Sequence, residues 1–454
     1  MISHVKGVPP AAIVSRVEAS RFDEATVYVT LDRHMYGDMQ PHVFKSTDYG
    51  ETWQHIALDG VRGYAHVIKE DVRDPNLLFL GTEFGLYVTI DGGAHWAQYK
   101  GSNFPAVAVR DLLVEPRTSD LVLATHGRGI WIIDDISSLR ALTPELMAQE
   151  AAFLPTGPAI QYIQAFSGAP EGSNSFNGPE RPGFAMIPYY QRSRHIFGDL
   201  TIQIFDSEGN LVDTLAPSKH RGVNRVQWGM RLKPPRVPPA ASAAFGATQG
   251  ARVIPGTYTV KMTKGTQVYT THIRVISDPR SNYSLEDRRA QFNLVTRLGA
   301  LLNHMSWAVD AIVGVRDEAN ERAEHLDATT NLKKQLIQLA SDADALRAKI
   351  VATREGGMIT GEERLREFLG ALYGDVNSYD GAPTSPQLAR ADVLDRQLAD
   401  VIKEFQDLSK DRLAVINREL GKKGLAPMTV LSETEWQKGT STSSSVSAAS
   451  RQRD

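Results

Sequence analysis

The amino-acid sequence predicts a multidomain protein, mainly β and then α: a partial β-propeller of about three blades, a β-sandwich and a C-terminal helical hairpin or bundle. Three patterns predict it: a repeat with a period near 43 residues before position 140, alternating strands between positions 200 and 275, and apolar residues at every third or fourth position after 284. A chain of 454 residues has room for about three domains.

The repeat is visible when three segments are aligned on their aspartates. Asp48 and Asp91 are 43 residues apart, and Asp91 and Asp135 are 44 residues apart. Each unit contains short β-branched or aromatic runs separated by Gly, Asp, Asn and Pro, which is typical of a small antiparallel sheet with tight turns. We therefore expect each unit to be one blade, with Trp53, Trp96 and Trp131 at matched places in consecutive sheets.

The turn of the first repeat predicts a hairpin stapled by its own side chains. An Asp carboxylate can accept backbone N–H bonds, Gly supplies a positive φ, and Trp packs between sheets. The second copy has His95 where the first has Thr52, and the third keeps only the strand and Asp135. The predicted structural residues of these turns are Ser46, Asp48, Gly50, Thr52, Trp53, Asp91, Gly93 and Trp96.

These turns resemble the Asp-box, or bacterial neuraminidase repeat, of sialidases, xyloglucan hydrolases and sortilin-type receptors. The segment Ala124–Asp135, followed by a sandwich and helices, is similar to the C-terminal portion of large bacterial sortilin-like, glycosyl hydrolase-like propeller proteins. The resemblance implies an immunoglobulin-like sandwich and a periplasmic or secreted location. Because three blades cannot close a propeller, it also implies missing upstream blades or a separate chain that completes it.

The loops that join the second and third strands of each repeat are expected on one rim, opposite the Asp-box turns. A ligand-binding rim is the functional interpretation of their polar residues; solvated side chains and ties between blades are the structural one. Catalytic residues stay unknown, because the family's catalytic acids are expected in blades that this chain lacks. The rim candidates are Asp32, Arg33, His34, Glu83, His126 and Arg128.

Composition and motifs exclude several kinds of site. Fifty basic and fifty-three acidic side chains give a net charge of −3, so no nucleic-acid partner is expected. The sequence has no cysteine, and it lacks phosphate-loop, zinc-helix and nucleophile-elbow motifs, so no metal and no cofactor are expected. The N-terminus lacks the pattern of a signal peptide, and polar residues interrupt the apolar stretch 298–315, so we expect a buried helix and no membrane insertion.

The expected domain boundaries follow changes of pattern along the chain. Ser284 begins a capping box, and helices are predicted near 284–325, 327–354, 361–378 and 385–421. The apolar stripe of the second helix is expected to pack in the core. The domains are 1–145 for the partial propeller, 146–195 for a linker and irregular lead-in, 196–278 for the sandwich, 279–431 for the helical region and 432–454 for a disordered tail.

Two functions from different classes remain open at this point. The first is a non-catalytic binding or scaffold protein that recognises protein or carbohydrate through the rim. The second is a glycoside hydrolase, sialidase-like or xyloglucan-hydrolase-like, or the remnant of one.

Overall fold

The first part of the chain forms three antiparallel sheets, called sheets A, B and C in chain order. The computed structural model describes residues 8, 11–101, 104–162, 183–240, 245–327, 329–354 and 362–438. Sheet A consists of β1 (Ile13–Ala19), β2 (Val27–Arg33), β3 (Asp38–Ser46) and β4 (Gln54–His55). Sheet B consists of β5 (Ala65–Glu70), β6 (Leu78–Thr82), β7 (Gly85–Thr89) and β8 (Ala97–Gln98). Sheet C consists of β9 (Val109–Val114), β10 (Leu121–Thr125) and β11 (Ile130–Ile133).

Sheet B lies between the other two and buries both of its faces. Ile68 and Leu80 belong to the core shared with sheet A, and Val67 and Phe79 belong to the core shared with sheet C. Because successive side chains of a strand point to opposite faces, a strand covered on both sides is rich in apolar residues, as β6 is, although β5 also buries His66, Lys69 and Glu70. The sheets approach most closely at Gly81, where an added Cβ would lie 2.6 Å from the Val109 carbonyl oxygen.

Sheet C has an uncovered outer face within the described part of the chain. Leu113, Ile130 and Ile132 are 57%, 74% and 57% exposed, although all three are large apolar residues. Sheet C also has three strands where sheets A and B have four. An apolar sheet face of this kind is typical of a surface that another element covers.

The prediction that three tryptophans occupy matched places is wrong for Trp131. Trp53 and Trp96 lie after the third strand of their sheets, directly before β4 and β8. Trp131 lies within β11 and pairs with Leu123, so its equivalents are Phe44 and Tyr87. The physical reason is that the third repeat has lost the Asp-box turn and the short fourth strand that position the other two.

Two short helices, α1 (Ser137–Arg140) and α2 (Pro144–Ala148), lead from sheet C to a sandwich of two sheets. Sheet D consists of β12 (Ala151–Phe153), β14 (Ala185–Gln191) and β17 (Gly222–Trp228). Sheet E consists of β13 (Ala159–Gln161), β19 (Gln267–Ser277), β18 (Gly256–Lys264), β15 (Leu200–Phe205) and β16 (Leu211–Leu215), in spatial order. Trp228 is fully buried in the core that the two sheets share.

The segment 146–195 differs from the predicted linker, because β12, β13 and β14 all lie in it. Strands of three residues are too short to show alternation in the sequence. Tertiary pairing defines them instead: Ala151 lies opposite Gln191, and Ala159 lies beside Val275 in the parallel pair with β19. Residues 163–182 of this segment lie outside the described residues.

The C-terminal region is helical, and the predicted helices are confirmed with small shifts of their ends. Ser284 accepts a hydrogen bond from the Asp287 N–H, which completes the predicted capping box, and the stripe of α4 is buried as predicted. A π-helical turn at Ser409–Leu413 separates the last two helices. The helices are α3 (Leu285–Glu324), α4 (Asn331–Ile350), α5 (Leu365–Asn377), α6 (Ser385–Leu408) and α7 (Ala414–Lys422).

Helix α3 is long and apolar enough to cross a membrane by length and composition, but half of its apolar window is buried inside the protein. Val295, Leu298 and Ile312 on this helix are fully buried against the other helices. A helix at the centre of a packed core gives the same apolar pattern, so this finding is weak evidence for a membrane span.

The predicted tail 432–454 is wrong at its start. Residues 433–438 are helical, and the Trp436 indole donates a 2.7 Å hydrogen bond to Asp310 Oδ2. Ser432 caps this turn by accepting from the Glu435 N–H. The Ser/Thr-rich composition that suggested disorder begins only at Thr440, and residues 439–454 lie outside the described residues.

Candidate functional site

The predicted rim residues lie where β2 and β6 end, at one edge of sheets A and B. Asp32 is on β2, His34 begins a single 3₁₀ turn, and Glu83 lies in the tight turn between β6 and β7. In an antiparallel sheet these ends share an edge with the start of the first strand, so residues before and within β5 and β9 reach the same place. The resulting group, called the rim cluster, consists of Asp32, His34, Tyr64, His66, Glu83 and Arg110.

On sheet A, the rim cluster contains an aspartate–histidine pair. His34 Nδ1 lies 2.8 Å from both oxygens of Asp32, and the His34 N–H donates to Asp32 Oδ1 at 2.9 Å. Asp32 is buried, and the His34 ring stacks on Tyr64 with 4.5 Å between centroids. The pair therefore fixes the imidazole orientation and links sheet A to the segment that precedes β5.

Glu83 is held by donors from two sheets. His66 Nε2 lies 3.0 Å from Glu83 Oε2, and Arg110 Nη2 lies 3.7 Å from the same oxygen. Arg110 also donates from Nη1 to His66 Nδ1 at 3.1 Å. Because a guanidinium can only donate, His66 Nδ1 must be the acceptor and Nε2 must carry the proton that Glu83 accepts.

These contacts set the protonation states around Glu83. Burial opposes its ionisation, but the hydrogen bonds from His66 and Tyr64 and the charge of Arg110 outweigh burial and lower the Glu83 pKa. Burial lowers the pKa of His66, and burial together with the Glu83 hydrogen bond raises the pKa of Tyr64. At neutral pH the centre of the cluster is a carboxylate surrounded by neutral His66, neutral Tyr64 and cationic Arg110.

The remaining predicted rim residues stand apart from this cluster. The Arg33 guanidinium lies over the Tyr36 ring at 5.8 Å. His126 and Arg128 are exposed, and neither side chain makes a hydrogen bond or ion pair with the rim cluster within the described ranges. Their backbones act locally: the His126 N–H donates to Ala108 at 2.9 Å, and the Arg128 carbonyl accepts from Trp131 Nε1 at 3.0 Å.

Sequence reasoning missed Tyr64, His66 and Arg110. It considered only the loops between second and third strands, although the segments that enter β5 and β9 reach the same edge. The available signal was the polar or aromatic character of these three residues at the start of the first strands of sheets B and C. Sequence alone gives no distance across sheets, so it could not show that Glu83 meets residues from both B and C.

Exposed apolar side chains surround the polar centre. Met35, Tyr36 and Phe84 are 75%, 62% and 53% exposed, and the Phe84 ring lies against Gly63 next to Tyr64. Gly63 has a φ of +81°, and an added Cβ would lie 2.9 Å from that ring. An exposed aromatic next to a held carboxylate offers stacking and hydrogen bonding within one surface.

The two complete aspartate turns lie at the opposite edge of the sheets, and each is held by hydrogen bonds among its own residues. Asp48 Oδ1 accepts from Ser46 Oγ at 2.7 Å and from the Thr52 N–H at 2.9 Å, and Gly50 N–H donates to Ser46 Oγ at 2.9 Å. These bonds, with the Thr52 hydroxyl first among them, lower the Asp48 pKa to about 2.

The second turn repeats this geometry around Asp91. It accepts from Thr89 Oγ1 at 2.7 Å and from the His95 N–H at 2.9 Å, with His95 Nδ1 at 2.7 Å. Burial of Asp91 opposes these bonds but is outweighed, and the Asp91 pKa is about 2. Both carboxylates are saturated by residues of their own turn.

Among the described residues no group of three or more His, Asp or Glu side chains has the arrangement of a metal site. The carboxylates and imidazoles of the rim cluster bind one another and Arg110 instead.

Comparison with known proteins adds little beyond a weak likeness of shape. No family model and no curated protein matches the chain. Among solved structures, PorZ, a surface component of the type-IX secretion system of Porphyromonas gingivalis, is 15% identical over 60% of this chain and 31% of its own, with a TM-score of 0.24. A GH74 enzyme of Niastella koreensis is 11% identical over 58% of this chain and 46% of its own, with a TM-score of 0.24.

YCF48 in complex with a D1 peptide is 19% identical over 28% of this chain and 38% of its own, with a TM-score of 0.22. The chain thus spans less than half of each of these proteins. They include an enzyme and a peptide-bound protein, and at these TM-scores the likeness carries no argument about function. The function must be argued from the residues of the chain itself.

Proposed function

We propose that this chain is the C-terminal part of an Asp-box β-propeller protein of the sortilin-like, glycosyl hydrolase-like bacterial kind. Sheets A, B and C are its last blades, and the sandwich is immunoglobulin-like. Three stacked sheets in chain order and two self-stapled Asp turns support this proposal. Further blades, from the same polypeptide or a separate chain, would cover the exposed Leu113, Ile130 and Ile132.

The proposed role is non-catalytic binding of a protein or glycan through the rim cluster, in the periplasm or outside the cell. The observation that carries it is the Glu83 carboxylate, which is held by His66 and Arg110 beside the exposed Phe84 ring. A carboxylate with a lowered pKa accepts hydrogen bonds from hydroxyl or amide groups, and the ring supplies apolar contact. Binding through such a surface requires no catalytic residue.

Binding is best tested with glycan and peptide arrays and the purified full chain. Phe84→Ala removes the aromatic surface, and Phe197→Ala is its matched control, because Phe197 is 86% exposed but belongs to the sandwich. We expect Phe84→Ala to weaken binding of any captured ligand about tenfold or more, while Phe197→Ala leaves it unchanged. Equal binding by both variants would remove the rim from contention.

A glycoside hydrolase is the alternative, and the Asp32–His34 pair is the observation that favours it. A carboxylate that orients an imidazole is a recurring arrangement for proton transfer. One fact weighs against it: a Glu83 with a lowered pKa is deprotonated and cannot act as a general acid at neutral pH.

Activity on a panel of polysaccharides and sialosides separates the two functions. Hydrolysis that Asp32→Asn and Glu83→Gln both abolish would establish the alternative and overturn the binding-only proposal. Hydrolysis that survives both changes would exclude these carboxylates as its source.

A further inference from the structure

A cavity lies between the sandwich and the helical region, away from the rim cluster. It has a volume of about 980 Å³, and its lining includes Gln161, Arg231, Arg252 and Asn377. At one side of the cavity Gly246 packs directly on the backbone of α5, since a Cβ on Gly246 would lie 2.3 Å from the Gly370 carbonyl oxygen. The cavity is therefore shaped by close backbone packing of two domains.

Two arginines face each other across this cavity wall. Arg231 and Arg252 form an isolated antiparallel bridge, which backbone bonds from Leu232 to Ala251 at 2.8 Å and from Val253 to Met230 at 2.9 Å hold in place. Directly opposed residues of antiparallel strands have Cβ atoms about 5 Å apart, and like charges on such a pair are destabilising. An anion between the two guanidinium groups relieves this repulsion.

The protein supplies less negative charge than this group requires. The buried Asp380 lies 2.8 Å from Arg252 Nη2 and 3.2 Å from Arg288 Nε, so one carboxylate serves two arginines. Arg231 donates to the Gly250 carbonyl at 2.9 Å and forms no ion pair with a carboxylate of the described residues. Burial and then the charge of Arg252 lower the pKa of Arg231 to about 10. Asp375, also in the lining, is exposed.

We propose that this cavity binds a small organic anion, with its anionic group between Arg231 and Arg252. The ligand thereby neutralises the opposed guanidinium pair. This site shares no residue with the rim cluster, so the test of one proposal does not decide the other.

Calorimetric titration of the full chain with four probes tests the proposal: glucuronate, glucose 6-phosphate, glucose and inorganic phosphate. We expect at least one organic anion to bind more tightly than both glucose and inorganic phosphate, and the preferred one identifies the anionic group. Equal binding of glucose would overturn the role of the arginines. Equal binding of inorganic phosphate would overturn the preference for an organic anion, which the size of the cavity supports, and no binding at millimolar concentration would overturn the site.

Arg231→Gln is the decisive variant, because Arg231 shares no carboxylate with Arg252 or Arg288. Losing one charge-assisted contact should weaken anion binding about tenfold to a hundredfold. Arg221→Gln, at an exposed arginine outside the lining, is the control and should bind like the unmodified chain. Without ligand, Arg231→Gln should melt no earlier than the unmodified chain, since it removes a like-charge contact. Unchanged binding, or loss of the folded state, would contradict the proposal.

Discussion

Asp48 and Asp91 occupy the same position in their repeats as Asp135, yet the three carboxylates do different work. The first two accept only from their own turns, from residues two to four positions away. Asp135 accepts from Thr156 Oγ1 and from the Gly157 N–H, both at 2.9 Å, as well as from the Ser137 N–H at 3.1 Å. In the last repeat the equivalent carboxylate therefore links sheet C to the sandwich instead of only bracing its own turn.

This difference matches the chain that follows each aspartate. After Asp48 and Asp91 the chain turns back into a fourth strand of the same sheet, whereas after Asp135 it leaves through α1 and α2 toward β12. Asp135 has a φ of 44°, a left-handed conformation that Asp and Asn tolerate better than most residues. Asp135 thus offers its carboxylate to the segment through which the chain leaves sheet C.

The largest effect is expected from Asp135→Ala, which should lower the free energy of unfolding by about 3 kcal/mol. The carboxylate is partly buried, and its hydrogen bonds lower the Asp135 pKa although burial opposes this. Alanine leaves Thr156 and two backbone N–H groups without their acceptor. Chemical denaturation of the full chain measures the loss.

Two controls separate the loss of the Asp135 hydrogen bonds from a change of backbone preference at this position. Asp135→Asn keeps the left-handed preference and one acceptor oxygen, so it should lose less stability than Asp135→Ala. Asp59→Ala, at an exposed loop aspartate, should change stability little. If Asp135→Asn were as damaging as Asp135→Ala, the charge rather than the geometry would hold the two domains together.

A smaller effect is expected from Asp91→Ala, about 1 kcal/mol, because solvent screens a carboxylate that is 39% exposed. Asp48→Ala should cost less again. The folded pKa of both carboxylates is about 2, below the ordinary value of 3.8. Their contribution is therefore fully present above pH 3.8 and is lost as the pH falls toward 2. Denaturation between pH 2 and pH 6 should show a weaker acid dependence in the double variant than in the unmodified chain; equal slopes would contradict this account.

The same contrast explains how far the sequence could predict the fold. The alternating strands after position 200 and the helices after position 284 follow local periodicity. The structure places the predicted helix ends within a few residues, and it divides the fourth predicted helix into α6, a π-helical turn and α7. β12 and β13 were missed because three residues carry no period, and only their pairing with β14 and β19 creates them. Trp131 was misplaced because the third repeat keeps its aspartate but loses its turn.

The rim cluster shows the corresponding limit for the site. Asp32, His34 and Glu83 could be chosen from loop positions, because the edge of an antiparallel strand is a local property. Tyr64, His66 and Arg110 could not be chosen with equal ease, because their role depends on the stacking of sheets A, B and C. The arginine bridge of Arg231 and Arg252 is still further from the sequence, since it depends on the docking of two domains.

The smallest effect is expected where the two self-stapled turns differ, at His95 and Thr52. His95 Nδ1 donates to Asp91 Oδ2 at 2.7 Å, and Thr52 Oγ1 donates to Asp48 Oδ2 at 2.5 Å. His95→Thr should therefore change the free energy of unfolding by less than about 0.5 kcal/mol, since a hydroxyl replaces the imidazole donor. His95→Val has the same shape as threonine without the hydroxyl, so it should lose more. Equal stability of the two variants would mean that the Asp91 turn depends only on its backbone donors and on Thr89. The side chain at position 95 would then contribute nothing to the stability of the turn.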